Sequence, residues 1–87
     1  MIKGKTKSGF EFEVSEDAIQ DMYLLEEIAQ VDENPLSVTH ILTRLLGDEQ
    51  KKRLYKHVEN EQGHALVEDV MFEFGEIMNA SAELKNS

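Results

Sequence analysis

The sequence predicts a mostly helical α+β fold in which an N-terminal β-hairpin packs on about four α-helices. Three observations predict it. Apolar and acidic residues alternate from Phe10 to Val14, which is the period of a half-buried strand. Helical apolar periods then recur between residues 16 and 80. With 87 residues, of which 40% are hydrophobic, the chain suffices for one domain, assigned to residues 1–84, followed by a tail at 85–87.

The hairpin is predicted over residues 2–14, with its turn at Ser8 and Gly9. Glycine supplies the positive φ that a tight turn needs. The second strand separates its side chains by face, with Phe10, Phe12 and Val14 on one side and Glu11 and Glu13 on the other. We expect the apolar face to cover the first helix and the lysines of the first strand to pair with the glutamates. Only the strand edge is then left open to another chain.

Helices are predicted at about residues 16–31, 35–46, 49–59 and 65–80. Ser15 precedes an acidic turn, so its hydroxyl is expected to cap the first helix. Asn34 and Pro35 form a start signal for the second helix, because Asn caps well and Pro needs no N–H donor at the first helical position. Gly47 is expected to end that helix with a positive φ, and Asp48 to cap the third.

A few apolar residues lie outside the apolar helix faces that are predicted to form the core. The first helix is apolar over about half its circumference, and Ile19 and Tyr23 form an i, i+4 pair beyond that arc. A helix of this kind is either central, the interpretation we favour, or shared with a partner. Phe72 projects among the acidic residues of the last helix, where the hairpin or another subunit covers it, or it stays exposed. Ile19, Tyr23 and Phe72 are therefore the candidate partner-binding residues, and self-association is expected.

The residues that carry enzymatic chemistry do not form a recognisable pattern. Cysteine is absent, which excludes disulfides and thiolate nucleophiles and favours a reducing compartment. The histidines His40, His57 and His64 lie on two helices and a loop without metal-ligand spacing. The acidic residues Asp69, Glu73 and Glu76 share one helical face, which we interpret as solvated. We therefore predict a protein that is not an enzyme and has no catalytic residue, metal or cofactor.

The charge distribution limits the class of partner. The net charge is −9, and residues 11–33 carry nine acidic side chains and no basic one, which disfavours binding to phosphate backbones. The run Lys51–Lys56 is the local exception and is the candidate surface for nucleic acid. No apolar stretch approaches the length of a membrane span, and no signal peptide is apparent, so we expect neither membrane insertion nor export.

The order of segments resembles a known family. A basic hairpin "KTKSGFEFEVSED" is followed by an acidic helix "DMYLLEEIAQVDENP", a helical segment "LLGDEQKKRLYKHV", a polar glycine loop, an acidic last helix and a terminal "KNS". This arrangement resembles the small tail assembly chaperones of long-tailed bacteriophages that infect Gram-positive bacteria. The resemblance covers nearly the whole chain, with "LLGDEQ" and "KNS" as its most distinctive parts.

The resemblance implies a non-enzymatic helper in the cytoplasm of the bacterial host. Such a protein binds the tape measure and tail tube proteins during assembly and is absent from the finished particle. The family supplies no catalytic residues and no binding motif that can be transferred to particular positions. Two alternatives remain, namely a phage structural or connector protein retained in the virion and a small regulatory protein that contacts nucleic acid through Lys51–Lys56.

Overall fold

A computed structural model describes residues 1–31, 33–34 and 36–86, without the side chains of Lys85 and Asn86. The elements in chain order are β1 (Ile2–Lys5), β2 (Glu11–Val14), α1 (Glu16–Ile19), α2 (Met22–Ala29), α3 (Ser37–Val58) and α4 (Val67–Asn86). The predicted α+β class, a two-stranded hairpin on four helices, is confirmed.

The hairpin forms as its residue pattern predicts. β1 and β2 are antiparallel, and their register runs from Ile2 opposite Val14 to Lys5 opposite Glu11. Gly9 has a φ of 95°, and its N–H donates to the Thr6 carbonyl at 3.0 Å, which closes the turn. The cross-strand ion pairs are present as well, with Lys5 Nζ 3.9 Å from Glu11 Oε1. Lys3 pairs in the same way with Glu13, at 3.6 Å.

The apolar face of the hairpin is buried, but not against the first helix. Phe10, Phe12 and Val14 are all buried, while β2 packs on α3 and β1 packs on α4. At Gly4 in β1, a Cβ atom would lie 2.6 Å from Phe12 Cζ and 3.0 Å from a methyl group of Leu84 in α4. The prediction that the hairpin covers the first helix is therefore wrong, because the long helices α3 and α4 supply the apolar surface instead.

The predicted helix over residues 16–31 is broken into α1 and α2. Ser15 caps α1 as predicted, since its hydroxyl accepts the Ala18 N–H at 3.0 Å. Asp21 then adopts an extended backbone, with φ −72° and ψ 123°, and its carboxylate accepts the Tyr23 N–H at 3.1 Å. An aspartate that caps a new helix competes with continuation of the previous one.

The break also changes which side chains of this region are buried. Leu24 is the residue of α2 that is fully buried, whereas Met22 and Leu25 are exposed. α2 lies against α3. The interpretation of a long central helix is therefore wrong, since two short segments at the periphery cannot present one continuous apolar arc.

α3 contains the boundary that was predicted between two helices. Gly47 interrupts its helical backbone with φ 82° and ψ 165°, so the helical runs before and after it are joined at a kink. The first run starts at Ser37, two residues later than predicted, and the second ends at Val58. Asn34 still satisfies a free donor at this start, because its side-chain oxygen accepts the Leu36 N–H at 3.3 Å. Pro35 lies outside the described residues.

α4 extends beyond its predicted limits of 65–80. It begins at Val67 and continues to Asn86, so the first two residues of the predicted tail are helical, and Ser87 lies outside the described part. The buried stripe explains the extension, because Ile77 and Ser81, one turn apart, are both fully buried. The following residues are also mostly good helix formers.

The core lies between the hairpin and the three longer helices. Its buried apolar residues are Ile2, Phe10, Phe12, Val14, Leu24, Val38, Ile41, Leu42, Leu45, Leu46, Leu54, Val70, Phe74 and Ile77.

Candidate functional site

The predicted partner-binding residues lie in different environments. Ile19 is half-buried and packs against the core, whereas Tyr23 is 66% exposed. They belong to α1 and α2, so the helical i, i+4 pairing predicted for them does not form. Phe72 is 63% exposed, so neither the hairpin nor another part of the chain covers it. Of the three residues, Tyr23 and Phe72 are the accessible aromatics.

Tyr23 is held in place by its neighbours. The guanidinium carbon of Arg44 lies 5.0 Å from the centroid of its ring, which is within the range of a cation–π contact. Arg44 Nη1 is in turn 3.4 Å from Asp21 Oδ2. A residue of α3 therefore fixes the start of α2, and the Tyr23 ring remains largely open to solvent above that contact.

An apolar cleft lies where the starts of α3 and α4 meet. It has a volume of about 230 Å³ and is lined by Leu36, Val38, Thr39, Tyr55, Ala65, Val67 and Val70. Two residues of this lining project into solvent, since Leu36 is 77% exposed and Val67 is 61% exposed. Burial raises the pKa of the Tyr55 hydroxyl, in keeping with the apolar surroundings on this side of α3. We refer to this group of residues as the apolar cleft.

Sequence reasoning missed the apolar cleft because its members come from three separate segments. In the sequence, Leu36 lies outside the apolar stripe of the predicted second helix, and Val67 lies within the broad apolar arc of the last one, which is typical of a core position. The one available signal was Leu36 itself, an apolar residue that directly follows a helix-start motif and has no place in the stripe.

The prediction that Asp69, Glu73 and Glu76 form a solvated face is wrong for Glu73. It is only 3% exposed, and its Oε1 accepts hydrogen bonds from Thr6 Oγ1 and Ser8 Oγ, both at 2.8 Å. One turn further along α4, Glu76 accepts the backbone N–H of Lys7 at 3.2 Å. Two carboxylates of α4 thus bind the turn of the hairpin, and we call this set of contacts the turn clamp.

His57 completes the turn clamp from α3. Its Nε2 lies 2.9 Å from Ser8 Oγ, and its ring centroid is 5.5 Å from that of Phe10. Ser8 has one hydroxyl proton and donates it to Glu73, so the imidazole nitrogen donates to the serine oxygen. A serine nucleophile requires the reverse arrangement, in which the histidine accepts the serine proton. The cluster therefore holds the turn and does not activate Ser8.

The basic run is partly neutralised within the chain. Lys51 donates to Thr43 Oγ1 at 2.7 Å and lies 3.7 Å from Asp48. The Arg53 guanidinium lies 5.3 Å from the centroid of the Phe10 ring. Lys52 and Lys56 project outward, the latter 3.5 Å from Glu59. A surface that binds along a phosphate backbone needs a continuous row of free cations. In this run the outward cations are separated by side chains that make contacts within the chain, so they do not form such a row.

The outer edge of β2 is occupied by α3, so the expectation of an open strand edge fails for this strand. The Gln50 side-chain amide forms two hydrogen bonds of 2.7 Å with the backbone of Glu13, accepting its N–H and donating to its carbonyl. Arg53 Nη1 lies 3.4 Å from the Glu11 carbonyl. These side chains replace the partner strand that an edge would otherwise recruit.

Among the described residues, no group of three or more His, Asp or Glu side chains is arranged to hold a metal ion. No helix in that part of the chain has both the length and the apolar content needed to cross a membrane. No protein-family model matches the sequence, and no curated protein or solved structure shows significant similarity to it.

Proposed function

We propose that this protein is a non-enzymatic interaction protein that receives an apolar helical segment of a partner in the apolar cleft. The observation that supports this proposal most strongly is the exposure of Leu36 and Val67 at the rim of a cleft lined mainly by aliphatic side chains. Large apolar side chains beside such a hollow are typical of binding surfaces.

The dimensions of the cleft favour a protein partner over a small molecule. Small-molecule sites usually enclose roughly 300 to 1,000 Å³, and the apolar cleft is smaller, at about 230 Å³. It has room for one or two side chains of a partner, in the way that an anchor residue fills a pocket at the centre of an interface. Tyr55 supplies the aromatic wall of this pocket.

Charge defines the chemistry of the partner. Glu68 and Asp69 follow Val67 directly in the first turn of α4, and Glu33 precedes Leu36 by three residues. A partner segment that presents apolar residues to the cleft and basic residues to this rim combines attraction with correct orientation. An amphipathic helix with a basic flank has both features.

The resemblance to tail assembly chaperones supplies the partner to test. On this proposal the protein acts in the cytoplasm of the bacterial host, where it binds the tape measure and tail tube proteins during tail assembly. A chaperone for a long apolar helical protein needs apolar anchors within a charged surface that keeps the complex dissolved. The net charge of −9 and the apolar cleft together meet that requirement.

Co-expression tests the proposal. The wild-type chain should co-purify with the tape measure or tail tube protein encoded beside it, and Val67→Glu should remove that co-purification by placing a charge in the cleft. Met22→Glu is the matched control, because Met22 is equally exposed, at 65%, but lies outside the cleft.

The outcomes of this experiment separate the proposal from its alternatives. If neither protein is retained, or if Val67→Glu binds as well as the wild type, the cleft is not the site. Mass spectrometry of purified virions then distinguishes a retained structural protein, and salt-sensitive retardation of DNA or RNA distinguishes a regulatory protein that uses Lys51–Lys56.

A further inference from the structure

Two helical segments of the chain carry opposite charge. Residues 50–58 of α3 include four basic side chains and no acidic one, and residues 66–84 include five acidic side chains and no basic one. The basic face, as we call it, consists of Lys52, Arg53, Lys56 and His57, all of which are exposed. The acidic face consists of the exposed residues Glu68, Asp69 and Phe72 on α4, with the half-buried Glu76, a member of the turn clamp, at its border.

Phe72 stands at the centre of the acidic face. Glu68 and Asp69 precede it by four and three residues, and Glu76 follows it by four, so all three carboxylates are its neighbours on the helix surface. Their arc points away from the buried stripe that contains Val70. Phe72 is thus an exposed aromatic ring surrounded by carboxylates, and a surface that accepts it must combine a hollow with a cationic rim.

The basic face contains such a hollow. A cleft of about 370 Å³ lies between the hairpin turn and α3, and its lining consists of Gly9, Phe10, Glu11, Arg53, Lys56 and His57. Three of these side chains carry or can acquire positive charge. The acidic member, Glu11, already lies 3.9 Å from Lys5 across the hairpin. An aromatic ring that enters this cleft meets the cationic groups that favour contact with its face.

We propose that the acidic face of one copy of this chain binds the basic face of a second copy, with Phe72 inserted in the cleft bordered by Arg53, Lys56 and His57. The chain itself carries both complementary surfaces, which is the reason for choosing a second copy as the occupant. The two faces are different surfaces, so each copy contributes one of them to a given contact. The lining of the apolar cleft is not part of this contact, although Glu68 and Asp69 border both surfaces, and the inference does not depend on the proposed function.

Charge-reversal substitutions on the two faces test the contact directly. In Lys52→Glu/Lys56→Glu the basic face becomes acidic, and in Glu68→Lys/Asp69→Lys the acidic face becomes basic. Each variant alone opposes like charges and should remain at the monomer mass of 10.0 kDa in light scattering. In an equimolar mixture, the native acidic face of the first variant meets the native basic face of the second, and the two reversed faces also carry opposite charges. The mixture should therefore associate as the wild type does. All of the substituted side chains are exposed, so folding is preserved, which circular dichroism verifies.

The aromatic anchor and the ionic strength provide two independent readouts. Phe72→Ala should raise the dissociation constant of the wild-type assembly about thirtyfold, as expected for a residue that dominates an interface. Raising the ionic strength from about 0.1 M to about 1 M shortens the screening length from about 10 Å to about 3 Å and should weaken association. A wild-type protein that stays monomeric at every concentration and low salt overturns the proposal, as does a charge-exchanged mixture that stays monomeric while the wild type associates.

Discussion

Glu73 is a buried carboxylate whose partners are neutral or weakly basic groups. Thr6 and Ser8 donate to the same oxygen, and His57 reaches it through Ser8. A buried carboxylate without hydrogen-bond donors is costly, so these hydroxyl groups offset its removal from water. The turn clamp therefore links the hairpin to α3 and α4 through one side chain.

Replacement of Glu73 by alanine should destabilise the fold measurably. The substitution leaves the buried Thr6 hydroxyl without its acceptor and releases Ser8, and the free energy of unfolding should fall by about 2 kcal/mol. Glu68→Ala on the exposed face of the same helix is the matched control and should change it by less than about 0.5 kcal/mol. Urea unfolding measures both. Equal effects of the two substitutions would show that the clamp adds nothing to stability.

The sequence could not predict this cluster, although it predicted several other single-residue roles. Gly9 in the turn and Ser15 at a helix start act on their immediate neighbours, so local pattern was sufficient. Glu73 bonds to residues 65 and 67 positions away, and only the folded topology brings them together. Its spacing from Asp69 and Glu76 looked like an ordinary solvated face.

Gly47 determines how α3 is divided. Its φ of 82° and ψ of 165° lie in a region that is essentially restricted to glycine, and a Cβ atom placed there would meet no neighbouring atom within 4 Å. Substitution by alanine therefore strains the backbone but causes no steric clash. The kink lets the residues after it, including Gln50, reach the hairpin.

Two glycine substitutions should have opposite effects. Gly47→Ala should lower the free energy of unfolding by about 1 to 3 kcal/mol because of its backbone conformation. Gly75→Ala should raise it by about 0.5 to 1 kcal/mol, since Gly75 is in the interior of α4 and a methyl group there also meets nothing within 4 Å. Denaturant midpoints compare the two, and stabilisation by Gly47→Ala would contradict the kinked geometry.

Gln50 protects the outer edge of β2. Its amide both accepts from and donates to the backbone of Glu13, and an alanine side chain in its place can do neither. Gln50→Ala should accelerate hydrogen exchange of the Glu13 amide and lower stability by about 1 kcal/mol. Lys52→Ala, an exposed change nearby, should leave that exchange rate unaltered. Unchanged protection in Gln50→Ala would mean that another group covers the edge.

The sequence predicted the kinds of element better than their limits and contacts. The hairpin and the kink at Gly47 follow from turn chemistry and were predicted, whereas the break at Asp21 was hidden within a long apolar pattern. α4 was predicted too short because its last apolar contact, Leu84 near Gly4, lies on the hairpin. The apolar cleft depends on how α3 and α4 meet, which no single segment reveals.

The fold distributes binding capacity over separate surfaces. The hairpin is fixed on its inner face by the core, at its turn by the clamp and along β2 by Gln50, and the cleft between its turn and α3 is the surface that it offers to a second copy. The exposed apolar side chains include Leu36 and Val67 at the apolar cleft and Phe72 on the acidic face.

The interaction that defines the proposed function can be observed residue by residue. Titration of the ¹⁵N-labelled chain with a basic amphipathic helical peptide, the class of partner that the proposed function requires, should shift the amide signals of Leu36, Tyr55 and Val67 most strongly. Val67→Glu should abolish those shifts while leaving the remaining spectrum folded. Shifts that centre on another surface, or saturation of Val67→Glu at the same peptide concentration as the wild type, would contradict the assignment of the apolar cleft as the partner site.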